Sequence, residues 1–170
     1  MWRKGEKRTF NIDFKKVLIN LGRSFLFNSG YPDSYFGWHY RIFKKRIIAA
    51  NEEGKYKEKC EWKIATFKFD QTTTAYKCYV RGKLPPAHII SLAKFKAVSL
   101  FLGIMHLYWS NDILGRKVVP YPFVFLGHDT MGMKTLQEVL DFEEQKRKEI
   151  IITGDKKKVE VHEEYILWIS

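Results

Sequence analysis

The stretch CEWKIATFKFDQTTTAYKCYVR (residues 60–81) is rich in Trp, Ile, Phe, Tyr and Val. It carries a polar Asp-Gln-Thr-Thr-Thr segment at its centre. β-Branched and aromatic runs on either side of turn residues predict a β-hairpin, with strands 60–69 and 75–81. Tyr76, Cys78 and Val80 then share one face, as do Trp62 and Ile64 on the other strand. Phe67 and Phe69 have the opposite parity, which calls for a bulge near Ala65–Thr66 or for cover on both faces. A turn at Asp70–Thr74 sets Cys78 opposite about residue 66, so a bridge to Cys60 is not expected and both thiols are read as reduced.

Upstream, Phe14, Val17, Leu18, Leu21 and Phe25 fall at i, i+3, i+4, i+7 and i+11, one helical stripe over 11–21. Asn11 is its expected N-cap and Gly22 its expected stop. Residues 28–34 read as a turn, Tyr35–Phe43 as a strand, and 51–59 as a polar loop. Downstream of Pro85-Pro86, residues 87–109 predict a helix apolar all round, which is buried or in a membrane. The uncharged run 97–109 falls short of the roughly 20 residues a span needs, and extension to Ala87 adds His88, Lys94 and Lys96. A core helix is expected, with a membrane segment over 87–109 as the alternative. Pro120 and Pro122 limit a short strand within 110–128. Asp129 or Thr130 caps a helix running to Glu149 with a Met133, Leu136, Leu140 stripe. Residues 150–152 and 159–161 read as a hairpin, and 165–169 as a final strand.

These elements predict a single α+β domain over residues 1–170. An antiparallel or mixed β-sheet packs against a long buried apolar helix, with two further amphipathic helices, a basic arm at 1–10 and a β-hairpin and strand at 150–170. A chain of 170 residues with 45% hydrophobic content sustains one such core. No apolar segment of signal-peptide type follows the basic start, so an intracellular, non-secreted protein is expected.

Charge points to a partner. Residues 1–119 carry 23 Lys+Arg against 9 Asp+Glu, whereas 120–170 carry 7 against 10. A basic body holding 5 Trp, 9 Tyr and 13 Phe suits a polyanion. Lys outnumbers Arg by 22 to 8, which favours phosphate contacts over base readout. The expected nucleic-acid surface has three parts: Arg3, Lys4, Lys7 and Arg8 in the arm; Lys44, Lys45 and Arg46; and Trp62, Lys68, Tyr76, Lys77, Tyr79, Arg81 and Lys83 on the hairpin. Lys57, Lys59 and Lys63 add to that last group. Exposed rings interleaved with cations are one solution for single strands. No phosphate-cradling Gly-rich loop, GxSxG element, HExxH or CxxC pair occurs in the sequence. His128-Asp129 is read as a loop histidine before a helix cap.

One constellation carries catalytic chemistry. Pro32-Asp33, followed after a gap by Glu61-Trp62-Lys63, resembles the PD-(D/E)xK nuclease pattern. The resemblance implies a Mg²⁺ held by Asp33 and Glu61, with Lys63 orienting the attacking water. Two residues apart on a strand, Glu61 and Lys63 would face the same way.

The leading expectation is a non-catalytic nucleic-acid-binding protein, a ribonucleoprotein or phage accessory component, with no cofactor. Three alternatives stand beside it: a Mg²⁺-dependent nuclease using Asp33, Glu61 and Lys63; an accessory subunit of a membrane complex anchored by 87–109; and an inhibitor whose acidic 138–149 end meets a basic protein.

Overall fold

Residues 60–81 form two helices, not two strands. The structure is a computed structural model, described here over residues 11–118 and 134–153. Of these residues 78% are helical and none lies in a strand, so the expected α+β sheet is replaced by an all-helical domain. The elements are α1 (Ile12–Phe27), α2 (Tyr35–Glu52), α3 (Lys57–Thr66), α4 (Thr74–Val80), α5 (Pro86–Tyr108) and α6 (Leu136–Thr153). A short 3₁₀ turn, Asn28–Gly30, follows α1, and a π turn, Trp109–Ile113, extends α5.

The hairpin expectation fails for a local reason. Alternation over 60–64 also places Cys60 and Ile64 at i and i+4, one face of a helix, and both turn inward. The polar centre is a capping device and not a hairpin turn. The Asp70 carboxylate accepts from the Thr72 amide and hydroxyl, and the Thr73 hydroxyl accepts from the Tyr76 amide to start α4. The expected strand at 35–43 is the first half of α2. Ser34 caps it by accepting from the Gly37 amide at 3.2 Å, and its buried residues Tyr40, Ile47 and Asn51 fall at helical spacing. A Cβ on Gly37 would sit 2.5 Å from the Asn28 carbonyl oxygen, so glycine is what lets the turn fold back onto α2.

Asn11 caps α1 as expected, accepting from the Asp13 and Phe14 amides. Gly22 does not end that helix. It lies mid-helix and buried, where a Cβ would be 3.3 Å from Lys94 Cβ and Val98 Cγ2, so its absence brings α1 close to α5.

α2 and α5 form the antiparallel centre. Phe36 meets Phe101 at one end, and Asn51 bonds Leu84 at the other. Ala93 and Ala97, both fully buried, let the helices approach. Phe25 of α1 stacks on Phe36 at 5.0 Å. Phe25, Tyr40, Ile47, Cys60, Tyr79, Leu84 and Ile89 continue this core. α6 joins through Val139 and Phe142, which pack near Tyr35 and Ile104. Both cysteines are free, with Cys60 fully buried.

α5 is the expected long core helix, but it is not buried all round: Phe95 is 53% exposed and Met105 lies at the surface. With its π turn it is long and apolar enough to cross a membrane by length and composition. Residues 150–152 are the last turn of α6, not a strand. The basic arm 1–10, the strand around Pro120–Pro122, the Asp129–Met133 helix start, and 159–161 and 165–169 lie outside the described residues.

Candidate nucleic-acid interface

A helical α3 brings together residues that a strand would have separated. Tyr56, just before the helix, and Lys59, Lys63 and Phe67 fall at i, i+3, i+7 and i+11, one stripe about 16 Å long. The stripe comes near α5 at two points. At its start, Tyr56 lines a groove with Phe43, Arg46, Ile47 and Lys96. Further along, Lys59 and Lys63 act electrostatically on His88 of α5. α3 and the first half of α5 therefore run antiparallel, with cations from α2, α3 and α5 between them.

The far end of the stripe is aromatic. Trp62 meets Phe67 edge-on at 5.7 Å, Phe67 meets Phe69 at 6.3 Å, and Phe69 meets Tyr79 at 5.4 Å. The Lys63 ammonium lies 5.5 Å from the Tyr79 ring centroid and 6.0 Å from that of Phe67, within cation–π range. Trp62 and Phe67 are 56% and 49% exposed, so their faces reach solvent next to that charge. Tyr79, expected on the surface, is a core ring. Its hydroxyl sits 3.0 Å from His88 Nδ1. Burial raises the Tyr79 pKa and lowers that of His88 to about 4, so a neutral phenol and a neutral imidazole share this hydrogen bond.

The other expected residues divide. Lys44, Lys45 and Arg46 lie mid-way along α2, and of these Arg46 reaches the groove. Lys68 follows α3 beside the aromatic row, and Tyr76 is half-buried on α4. Lys77 and Arg81, four apart, occupy the side of α4 away from Tyr79. Lys83 pairs with Glu52, which offsets its charge. Arg3, Lys4, Lys7 and Arg8 lie outside the described residues. Among the described residues, Arg46, Lys59, Lys63, Lys68 and Lys96 form no ion pair with a carboxylate. Sequence reasoning missed Tyr56, His88 and Lys96; the Tyr56, Lys59, Lys63 spacing was the available signal, hidden by reading 51–59 as a loop and 60–69 as a strand.

The nuclease constellation is not assembled. Asp33 precedes the N-terminus of α2 and Glu61 lies beyond its C-terminus, with an 18-residue helix of about 27 Å between. Two apart on α3, Glu61 and Lys63 point about 200° apart around the helix and not the same way. Among the described residues no group of three or more His, Cys, Asp or Glu is placed to hold a metal ion. The acidic 138–149 end pairs largely within its own helix, Glu143 with Arg147, Glu144 with Lys148 and Glu149 with Lys146.

The two shifted histidines set a pH dependence. His39 is also held down to about 4, by burial first and then by Lys134 and Arg46. In the unfolded chain both titrate near 6.5. Below that value the unfolded chain binds protons that the native chain refuses, so their contribution is full above pH 6.5 and is lost as pH falls toward 4. The urea midpoint is expected to fall between pH 7 and 4.5, and less steeply in a His39→Gln/His88→Gln variant. Equal slopes in the two proteins would contradict the assignment.

Comparison of the chain with family models, curated proteins and solved structures finds no match.

Proposed function

We propose that this chain binds nucleic acid without cutting it, holding a single strand along α3 with lysine–phosphate contacts and stacking bases on Trp62 and Phe67. The observation that carries this reading is the stripe from Tyr56 through Lys59 and Lys63 to Phe67, with cations free of carboxylate partners beside exposed rings. Backbone phosphates supply affinity through released counterions, and aromatic faces accept any base. Exposed rings favour a single strand over a duplex, whose bases are already stacked. The separation of Asp33 from Glu61 favours holding over hydrolysis.

The test is fluorescence anisotropy with a labelled 12-mer at several salt concentrations, with and without Mg²⁺. Affinity should fall linearly in log–log form, by about 0.7 per phosphate contacted. No binding at low salt refutes the reading, and strand cleavage abolished by EDTA replaces it with the nuclease. A second reading, attachment to a membrane complex, is favoured by the apolar Pro86–Ile113 stretch with its exposed Phe95, Trp109 and Ile113. Co-flotation with neutral lipid vesicles supports it; a monodisperse protein that stays with the aqueous fraction opposes it.

A further inference from the structure

The groove at the start of the stripe differs from the rest of the surface. It is small, ≈ 150 Å³, and combines two cations, Arg46 and Lys96, whose positions in the chain are 50 residues apart. Packing of α2 on α5 is what brings them together. Ile47, 2% exposed, and half-buried Phe43 form apolar walls, and Tyr56 closes the side toward α3. Arg offers a planar fork suited to two oxygens of one phosphate, and Lys a point charge for a third. Two unpaired cations over an apolar wall match a phosphate monoester, which carries nearly two negative charges at pH 7, better than a singly charged diester.

The position matters as much as the charge. The cationic stripe runs from Tyr56 in one direction only. The segment leading into it, residues 52–55, holds Glu52 and Glu53, paired with Lys83 and Lys55, so this segment adds no net positive charge to the track. A strand lying along α3 would therefore have its end here. We infer that the Arg46, Lys96 and Tyr56 groove holds the terminal phosphate of the bound strand. This rests on the nucleic-acid reading above.

The experiment compares one 12-mer bearing a 5′-phosphate, a 3′-phosphate or hydroxyls at both ends. One phosphorylated form should bind roughly tenfold tighter than the hydroxyl form, the scale of a charge-assisted hydrogen bond or two. Arg46→Gln and Lys96→Gln should each erase that preference, while Lys63→Gln weakens all three forms alike. The preference should shrink below about pH 6, as the monoester dianion takes up one proton and becomes singly charged like a diester. Equal affinities for the three forms overturn the end-phosphate site but leave nucleic-acid binding standing. If no oligonucleotide binds, both fall. Inorganic phosphate that then saturates the wild type in ³¹P NMR, but not the Arg46→Gln variant, would reassign the groove to a free phosphate group.

Discussion

Asn51→Ala is expected to remove about 3 kcal/mol of stability, a large share of the roughly 5–15 kcal/mol that holds a domain folded. Asn51 is 5% exposed in the last turn of α2. Its Oδ1 accepts from the Leu84 amide at 2.8 Å, and its Nδ2 donates to the Leu84 carbonyl at 3.3 Å. Leu84 is itself 2% exposed and has left α4 without yet entering α5, so neither helix ladder satisfies those two groups. Alanine leaves a buried N–H and a buried C=O without partners, each worth roughly 1–3 kcal/mol. Asn51→Leu should fare little better, because it restores volume without either hydrogen bond. That comparison separates the polar effect from a cavity effect. The measurement is a urea midpoint with an unchanged slope; a loss below about 0.5 kcal/mol in both variants would show that Leu84 finds other partners. The same bond fixes where α5 begins relative to α2, and so the spacing between Arg46 and Lys96.

How much of this was legible in the sequence depended on whether a segment's signal had one reading. α1 announced itself by an Asn11 cap and a five-residue stripe, and α5 by its length after Pro86, a good first helical residue. α2 and α3 did not. Their Trp, Tyr, Phe and Ile residues carry a β preference that reflects fit to a half-buried surface, and a helix interface provides one too. Over 60–64 a period of two and an i, i+4 pair coincide, so the pattern could not choose. The Thr-rich segment 72–74 was ambiguous in the same way, since turn formers are also helix caps. The error carried into the site. Strand geometry put Glu61 beside Lys63, whereas helix geometry puts Lys59 beside Lys63. The surface lysines and Trp62 could be named from composition alone. The convergence of Arg46 with Lys96 could not, because it follows from the antiparallel packing of α2 on α5, fixed by Ala93, Ala97 and the Asn51–Leu84 pair.

Reversing two charges on the stripe is the sharper test of function. Lys59→Glu/Lys63→Glu should lower affinity for a single-stranded 12-mer on the order of 100-fold at low salt, and reduce the salt slope by about 1.4. Net charge alone would also weaken binding, so the informative comparison is Lys77→Glu/Arg81→Glu. That pair changes the total charge by the same amount on the side of α4 away from Tyr79. It should cost only a few-fold, through the long-range field that salt screens. Equal losses from the two pairs would mean that the whole basic body attracts the polyanion and that α3 is not the interface. His88 reports whether the stripe variant kept its geometry. Lys63 and Lys59 contribute to holding its pKa down, after burial. Acidic residues in their place should raise it, visibly in an NMR titration, while the Lys77→Glu/Arg81→Glu variant leaves it at about 4. Lost affinity with a raised His88 pKa places the missing charge at the groove between α3 and α5. Lost affinity with an unmoved His88 would mean that the helix had shifted, and the binding data would then say nothing for the stripe.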